Sequence, residues 1–329
     1  MNTFPPMKNL PPSLLCSATT VTESCAEAGG AGAPAKEPAR GAVAVAHRQV
    51  EVDGLRIFYR EAGPKDAPTL LLLHGFPSSS HQYRRLFDLL GDEFHLVAPD
   101  YPGFGHSDAP ASRTAGGSFP YTFDRLTDVT EAFCKQLGLT RFFVYMFDFG
   151  APVGFRLAVR HPEWIAGIVS QNGNAYEEGL SAMIRAEHSL PPEEKLAARR
   201  HLISREGTKS QYLTGAQHPD RISPDAWTMD QYFLDLPGRD AVMLSLLDDY
   251  STNIAAYPAW QTWLREHRPP VLLAWGKNDP FFVPAGAQAY LRDVPDAELH
   301  LLDGGHFALE EHAEAISSLI RSFIGKHSG

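Results

Sequence analysis

Three side chains suited to covalent and proton-transfer chemistry each follow an apolar run. Asp148 ends Phe-Phe-Val-Tyr-Met-Phe, Asp279 follows Val-Leu-Leu-Ala-Trp-Gly, and His306 sits in Asp-Gly-Gly-His-Phe after Glu298–Leu302. A carboxylate where a buried strand turns sharply into a helix is costly unless it is solvated or used. Gly150 and Ala151 let the following helix pack close, and Pro152 sits in its first turn, where a missing N–H does no harm. In this set Asp148 would attack an electrophilic carbon and form an ester. His306 would activate the water that hydrolyses the ester, and Asp279 would hold and charge-balance the imidazole. The backbone N–H groups of Phe76 and Phe149 would bind the developing oxyanion. Each residue alone has a blander meaning: a helix cap, a glycine turn, an Asp-Pro turn opener. Their coincidence at the ends of three expected strands favours the catalytic one.

The elements that must position these groups follow from the apolar pattern. His47–Tyr59 alternates loosely around Asp53-Gly54 and predicts an opening antiparallel pair. A continuous apolar run at Thr69–Leu73 predicts a strand buried on both faces, and Phe94–Ala98, Phe142–Phe147, Ile165–Ser170, Pro270–Trp275 and Glu298–Leu302 read as further strands. Helical spacing at Ser80–Leu90, Phe123–Leu137, Gly154–His161 and Ala308–Ile324 separates them. The alternation predicts an α/β fold with a mostly parallel central sheet flanked by helices. In such a sheet ligands bind beyond the carboxyl ends of the strands, where the three candidates lie. The segment 172–265 lacks strand signals and carries several short helical patterns, so it is expected to be an inserted helical cap. The core would then comprise 46–171 and 266–329.

Composition limits the rest. The chain has 329 residues, 43% hydrophobic, with a formal net charge of −10. That argues against a nucleic-acid or anionic-membrane partner. Cys16, Cys25 and Cys134 have no metal-ligand spacing, so no metal is expected, and reduced thiols in the cytoplasm are. No apolar run reaches the length of a membrane span. Residues 1–45 are rich in Ala, Pro, Gly, Ser and Thr and are expected to be a disordered leader. A secretory signal is the weaker alternative, lacking a basic start and a long apolar stretch.

With these motifs in place, the chain from Val50 to Ile324 resembles the α/β-hydrolase superfamily. The carriers are His74-Gly75-Phe76-Pro77, Asp100-Tyr-Pro-Gly-Phe-Gly-His-Ser-Asp108, the Met146–Ala151 stretch, Trp275-Gly-Lys-Asn-Asp279 and Gly305-His306. The aspartate nucleophile resembles the branch of epoxide hydrolases, haloalkane dehalogenases and haloacetate dehalogenases. Members of the dehalogenase groups place Trp, Asn or Arg around the nucleophile; here the matching positions are Phe76, Phe149 and Pro152. Epoxide hydrolases use His-Gly-x-Pro and two cap tyrosines that donate to the epoxide oxygen. The resemblance implies Tyr250 as one, and Tyr212 as the other ahead of Tyr176 and Tyr232. Phenols suit an opening epoxide, because they stabilise an alkoxide without ionising beforehand. His74, Pro77, Phe147, Trp227 and Phe281 are the expected substrate contacts, implying a small apolar substrate. Two positions depart from the family pattern: Met146 where a small residue is usual, and Phe149 where Trp is common. The expected activity is cofactor-independent epoxide hydrolysis to vicinal diols. A dehalogenase and a catalytically silent binding protein are the rivals, with a homodimer as the one expected assembly.

Overall fold

In a computed structural model of the chain, residues 43–328 are described. The expected leader lies outside them except for its last three residues, and so do Cys16 and Cys25. One eight-stranded sheet forms the centre. Its strands are β1 (Ala46–Val52), β2 (Leu55–Ala62), β3 (Thr69–Leu73), β4 (His95–Pro99), β5 (Phe142–Phe147), β6 (Ile165–Gln171), β7 (Val271–Gly276) and β8 (Glu298–Leu302). They lie in the order β1-β2-β4-β3-β5-β6-β7-β8. The β1–β2 and β2–β4 pairs are antiparallel and all the others parallel. The β1–β2 turn places both Asp53 and Gly54 at positive φ, 50° and 75°, as a two-residue hairpin turn matched to strand twist requires.

The helices are α1 (Arg84–Leu90), α2 (Phe123–Gln136), α3 (Gly150–Arg160), α4 (Ala182–His188), α5 (Pro192–Leu202), α6 (Arg205–Leu213), α7 (Pro224–Leu234), α8 (Arg239–Asp249), α9 (Ser251–His267), α10 (Pro284–Asp293) and α11 (Ala308–His327). Helices α1 and α11 cover one face of the sheet; α2, α3, α9 and α10 cover the other. This double cover explains why every residue of β5 is buried and why its sequence shows no polar alternation. The chain leaves the sheet after β6, runs through α4–α9 without a strand, and returns at β7. The expected cap interval therefore contains two kinds of helix. Helices α4–α8 pack mainly on one another, whereas α9 stacks Trp260 on Phe155 of α3 at 5.2 Å and 11° and so belongs to the sheet cover. That packing face was hidden in the sequence because Pro258 interrupts the helical pattern of α9.

Register brings the strand ends together. Leu73 pairs with Met146 and Phe147 with Gln171, so the loops after β3, β5 and β6 open side by side. The loops after β7 and β8 are tied by Lys277 N–H to the Leu302 carbonyl and Asn278 N–H to the Gly304 carbonyl.

Candidate active site

Asp148 occupies the turn between β5 and α3 with φ of +48°, a left-handed conformation that L residues rarely adopt. Glycines on its neighbours make this turn feasible. A Cβ on Gly150 would lie 2.1 Å from the Leu73 carbonyl oxygen, and one on Gly75 would lie 2.4 Å from the Asp148 Cβ. Met146, the bulky departure, is accommodated from the other side. Its side chain fills the space above Gly154, where an added Cβ would meet Met146 Cε at 2.6 Å. The room that a small residue at 146 would have left is supplied one helix away.

The two oxygens of Asp148 have different surroundings. Oδ1 accepts from the Phe76 N–H at 2.6 Å, and the Phe149 N–H also bonds the carboxylate. Oδ2 faces His306 Nε2 at 3.7 Å. The other imidazole nitrogen, Nδ1, bonds Asp279 Oδ2 at 2.8 Å. Asp279 is fixed in turn: Asn172 Nδ2 donates to Oδ2 at 2.8 Å and the Phe281 N–H to Oδ1 at 2.7 Å. Asn172, itself at φ of +50°, also accepts from the Gly276 N–H. The His306 carbonyl is held by Gln171 Nε2, whose own Oε1 accepts from the Tyr145 hydroxyl. Gln171 and Asn172 have no sequence signature, because nothing local marks a polar pair at a strand end as support for a histidine 135 residues away.

Burial shapes the charges. It pushes the Asp148 carboxyl above its ordinary range, while His306 and the Phe76 and Phe149 amides pull it back. For His306 burial favours the neutral ring, but Asp279 and Asp148 outweigh it, so the imidazole pKa is raised. A buried carboxyl, an imidazole held by Asp279 and two inward amides are thus assembled beside a cavity of about 420 Å³. Apolar groups dominate its walls, among them Phe76, Phe149, Ile184, Leu247, Phe281 and Phe282. Tyr250 reaches this wall from the α8–α9 junction. His201, Arg199, Glu187 and Gln211 bring polar groups from the cap.

From Pro68 to Ala313 the sequence matches the family described as alpha/beta hydrolase fold. The chain belongs to the α/β-hydrolase family. This α/β-hydrolase is similar to an uncharacterized hydrolase of Saccharomyces cerevisiae, with 40% identity over 85% of this chain and 97% of the relative. It is also similar to a haloalkane dehalogenase of Psychrobacter cryohalolentis, with 29% identity over 82% and 88% of the two chains. Among solved structures it is similar to the haloalkane dehalogenase DbeA of Bradyrhizobium elkani. That likeness has a TM-score of 0.69 and 24% identity over 87% and 99% of the chains, and it bears on the fold.

The hydrolase brings Asp148, His306, Asp279, Phe76, Phe149, Phe281 and Tyr250 together, and places the other candidates elsewhere. Tyr212 does not line the cavity. Its ring stacks on Phe307 at 3.8 Å and its hydroxyl donates to the buried Asp230 of α7. Its rivals are elsewhere too: Tyr176 donates to Asp293 at 2.8 Å, and Tyr232 is 59% exposed. Trp227 packs against Tyr212 and lies over Lys209, away from the cavity. Phe147 follows Met146 on a strand, so it projects to the opposite sheet face, where it supports His306 and Phe307 at 4.7 and 5.0 Å. Pro77 is buried in its loop. His74 is buried as well. Its Nε2 accepts from the Tyr101 N–H and its Nδ1 faces the Gly75 carbonyl, while burial lowers its pKa to about 4. It therefore joins two loops as a neutral ring rather than meeting substrate. Asp100 does similar work, accepting from the Ser80 and His106 N–H groups. His201 is exposed and lines the cavity.

Proposed function

We propose that this α/β-hydrolase is an epoxide hydrolase that works through an ester on Asp148. The observation that carries the proposal is the division of labour on that carboxylate. Oδ1 is held by amides that can stabilise an oxyanion, while Oδ2 is left toward the cavity and His306. In the first step Oδ2 bonds to an epoxide carbon, the C–O bond breaks, and Tyr250 gives its proton to the released oxygen. In the second, His306 takes a proton from water, the hydroxide adds to the ester carbonyl, and the Phe76 and Phe149 amides hold the charge on Oδ1. As the intermediate collapses, the proton left on the added hydroxide passes to the departing oxygen, freeing a vicinal diol and the Asp148 carboxylate, and the imidazolium proton returns to Tyr250 through solvent. Asp279 stabilises the imidazolium throughout.

Two features favour an epoxide over a halide. The side chains flanking Asp148 at positions 76 and 149 are phenylalanines, with no N–H to hold a leaving halide. The phenol of Tyr250 can complete an alkoxide by giving it a proton, which a halide does not need. His306→Gln tests the proposal, since it should stop hydrolysis and leave the ester in place. Exposed to a panel of aryl and alkyl epoxides, the variant should gain the full mass of the epoxide on the Asp148 peptide. A gain equal to haloalkane minus HX, with none from epoxides, would replace the proposal with a dehalogenase. No adduct from either class would defeat the covalent mechanism.

A further inference from the structure

The loop that carries His306 has no regular structure of its own. Residues 303–307 lie between β8 and α11 and belong to neither. The first turn of α11 gives limited support, because the helix is kinked at His312, whose φ of −118° and ψ of 27° are not helical. His306 therefore stands on a segment, 303–311, that neighbouring parts of the chain must hold still. Gln171 holds it from the sheet side, through the His306 carbonyl at 2.9 Å. A second support comes from the cap.

Cap segment 212–218, the end of α6 and the loop after it, grips 303–311 on both sides of His306. Ahead of the histidine, backbone meets backbone. A Cβ on Gly305 would lie 2.3 Å from the Thr214 carbonyl oxygen, and one on Gly215 would lie 2.2 Å from the Asn278 carbonyl oxygen. Asn278, next to Asp279, joins the layers. Its Nδ2 donates to the Gly215 carbonyl and to Asp303 Oδ1, each at 3.0 Å. Beyond the histidine, Tyr212 stacks on Phe307 at 3.8 Å. Glu311, one residue before the kink, accepts from the backbone N–H groups of Gln217 at 3.2 Å and His218 at 2.6 Å, one on each carboxylate oxygen.

We propose that Asn278 and Glu311 are positioning residues that fasten the cap to the His306 loop and so set the imidazole for water activation. The inference rests on the two-step ester mechanism proposed above, and it assigns the two steps unequal effects. Ester formation uses Asp148, which the β5–α3 turn and the Phe76 N–H hold outside this grip. Ester hydrolysis uses His306, which must keep Asp279 at 2.8 Å while it meets a water beside the ester. A misplacement of about 1 Å at a reacting group can cost about 10²-fold in rate. The bland alternative is that the grip merely keeps the cap attached. The cap walls the cavity in which both steps occur, so that role would slow both steps together or neither.

Rapid-quench mass spectrometry on the full chain reads the two steps separately, as growth of the Asp148 ester and as its decay in a single turnover. The substrates are the aryl and alkyl epoxides that label His306→Gln. Asn278→Ala removes both bonds donated by Nδ2, and Glu311→Ala removes both acceptors for the cap backbone. Each should slow ester decay about tenfold or more and leave ester formation within about threefold, so that ester accumulates at steady state. Glu311→Gln keeps one oxygen to accept and should bring decay back to within about threefold of the parent. The two alanine variants cut separate attachments, and melting temperatures check that they are folded; if one unfolds, the other decides. Parental decay in the folded variants, or equal slowing of formation and decay, overturns the inference and leaves the Asp148 mechanism standing. If His306→Gln gains no epoxide from any member of the panel, the inference and the mechanism fall together.

Discussion

Asp148 and Asp230 are both buried carboxylic acids, and they are put to different uses. Asp148 meets the Phe76 and Phe149 amides, His306 and the cavity. Asp230 meets the hydroxyl of Tyr212, whose ring closes over Phe307, and does not line the cavity. Burial pushes both acids upward. For Asp230 it prevails, raising the pKa to about 7 despite Tyr212 and Ser78. For Asp148 burial also prevails, but the imidazole and the two amides oppose it by favouring the charged form. A perturbed acid is therefore not by itself a mark of chemistry. What separates the pair is access and the company of groups that hold a negative charge in place.

Substitution should break the symmetry of the pair sharply. Asp148→Asn should lower turnover by about 10⁴-fold or more, as loss of a nucleophile does, with the protein still folded by circular dichroism. Asp279→Asn should cost between about 10² and 10⁴-fold, by releasing the imidazole. It should also move the acid limb of the pH profile. His306 serves as a base only when neutral, so activity fails as pH drops through its pKa. Asp279 is the largest influence raising that pKa against burial. Without its charge the His306 pKa falls, and the acid limb should shift to lower pH even as the maximum declines. An unmoved limb would mean that another group governs it.

The two tyrosines extend the contrast with a smaller effect. Tyr250→Phe should slow adduct formation about 10²-fold, the low end of what a positioned general acid contributes. Tyr212→Phe should leave adduct formation within about threefold and lower the melting temperature, since it strips a buried carboxyl of its donor. Equal losses of activity would return Tyr212 to the site and overturn its assignment as a packing residue.

The pattern of what the sequence revealed follows from the range of the signals. Each of Asp148, Asp279 and His306 ends an apolar run, and the sheet itself required those runs, so fold and triad positions were visible together. Tyr212 and Tyr250 gave the same local signal, a tyrosine in a helical insertion. Their difference lies in tertiary partners: Asp230 and Phe307 for one, Phe123 and Phe149 for the other. Met146 looked incompatible with a tight turn because its compensation, Gly154, lies eight positions on and only faces it once α3 folds back. Asn172 carries no periodic or motif signal at all. Its work depends on Gly276 and Asp279, which reach it only once β7 lies beside β6.

The smallest expected effect on turnover belongs to Asp230, and it tests the comparison through stability. Its folded pKa of about 7 lies above the value of about 3.9 for an unfolded aspartate. Below the lower value both states are protonated and the acid costs nothing. Between the two, the folded chain binds the extra proton, so stability declines as pH rises, and the decline is complete above about pH 7. Asp230→Asn keeps an oxygen to accept from Tyr212 and removes the charge. The melting temperature of the variant minus that of the parent should therefore increase from pH 4 to pH 8, with turnover within about threefold of the parent at every pH. A difference that is flat with pH would show that Asp230 is ionised in the folded protein across the range. The two acids would then differ only in access to the cavity, and the amides and imidazole around Asp148 would no longer be needed to explain why one is an anion.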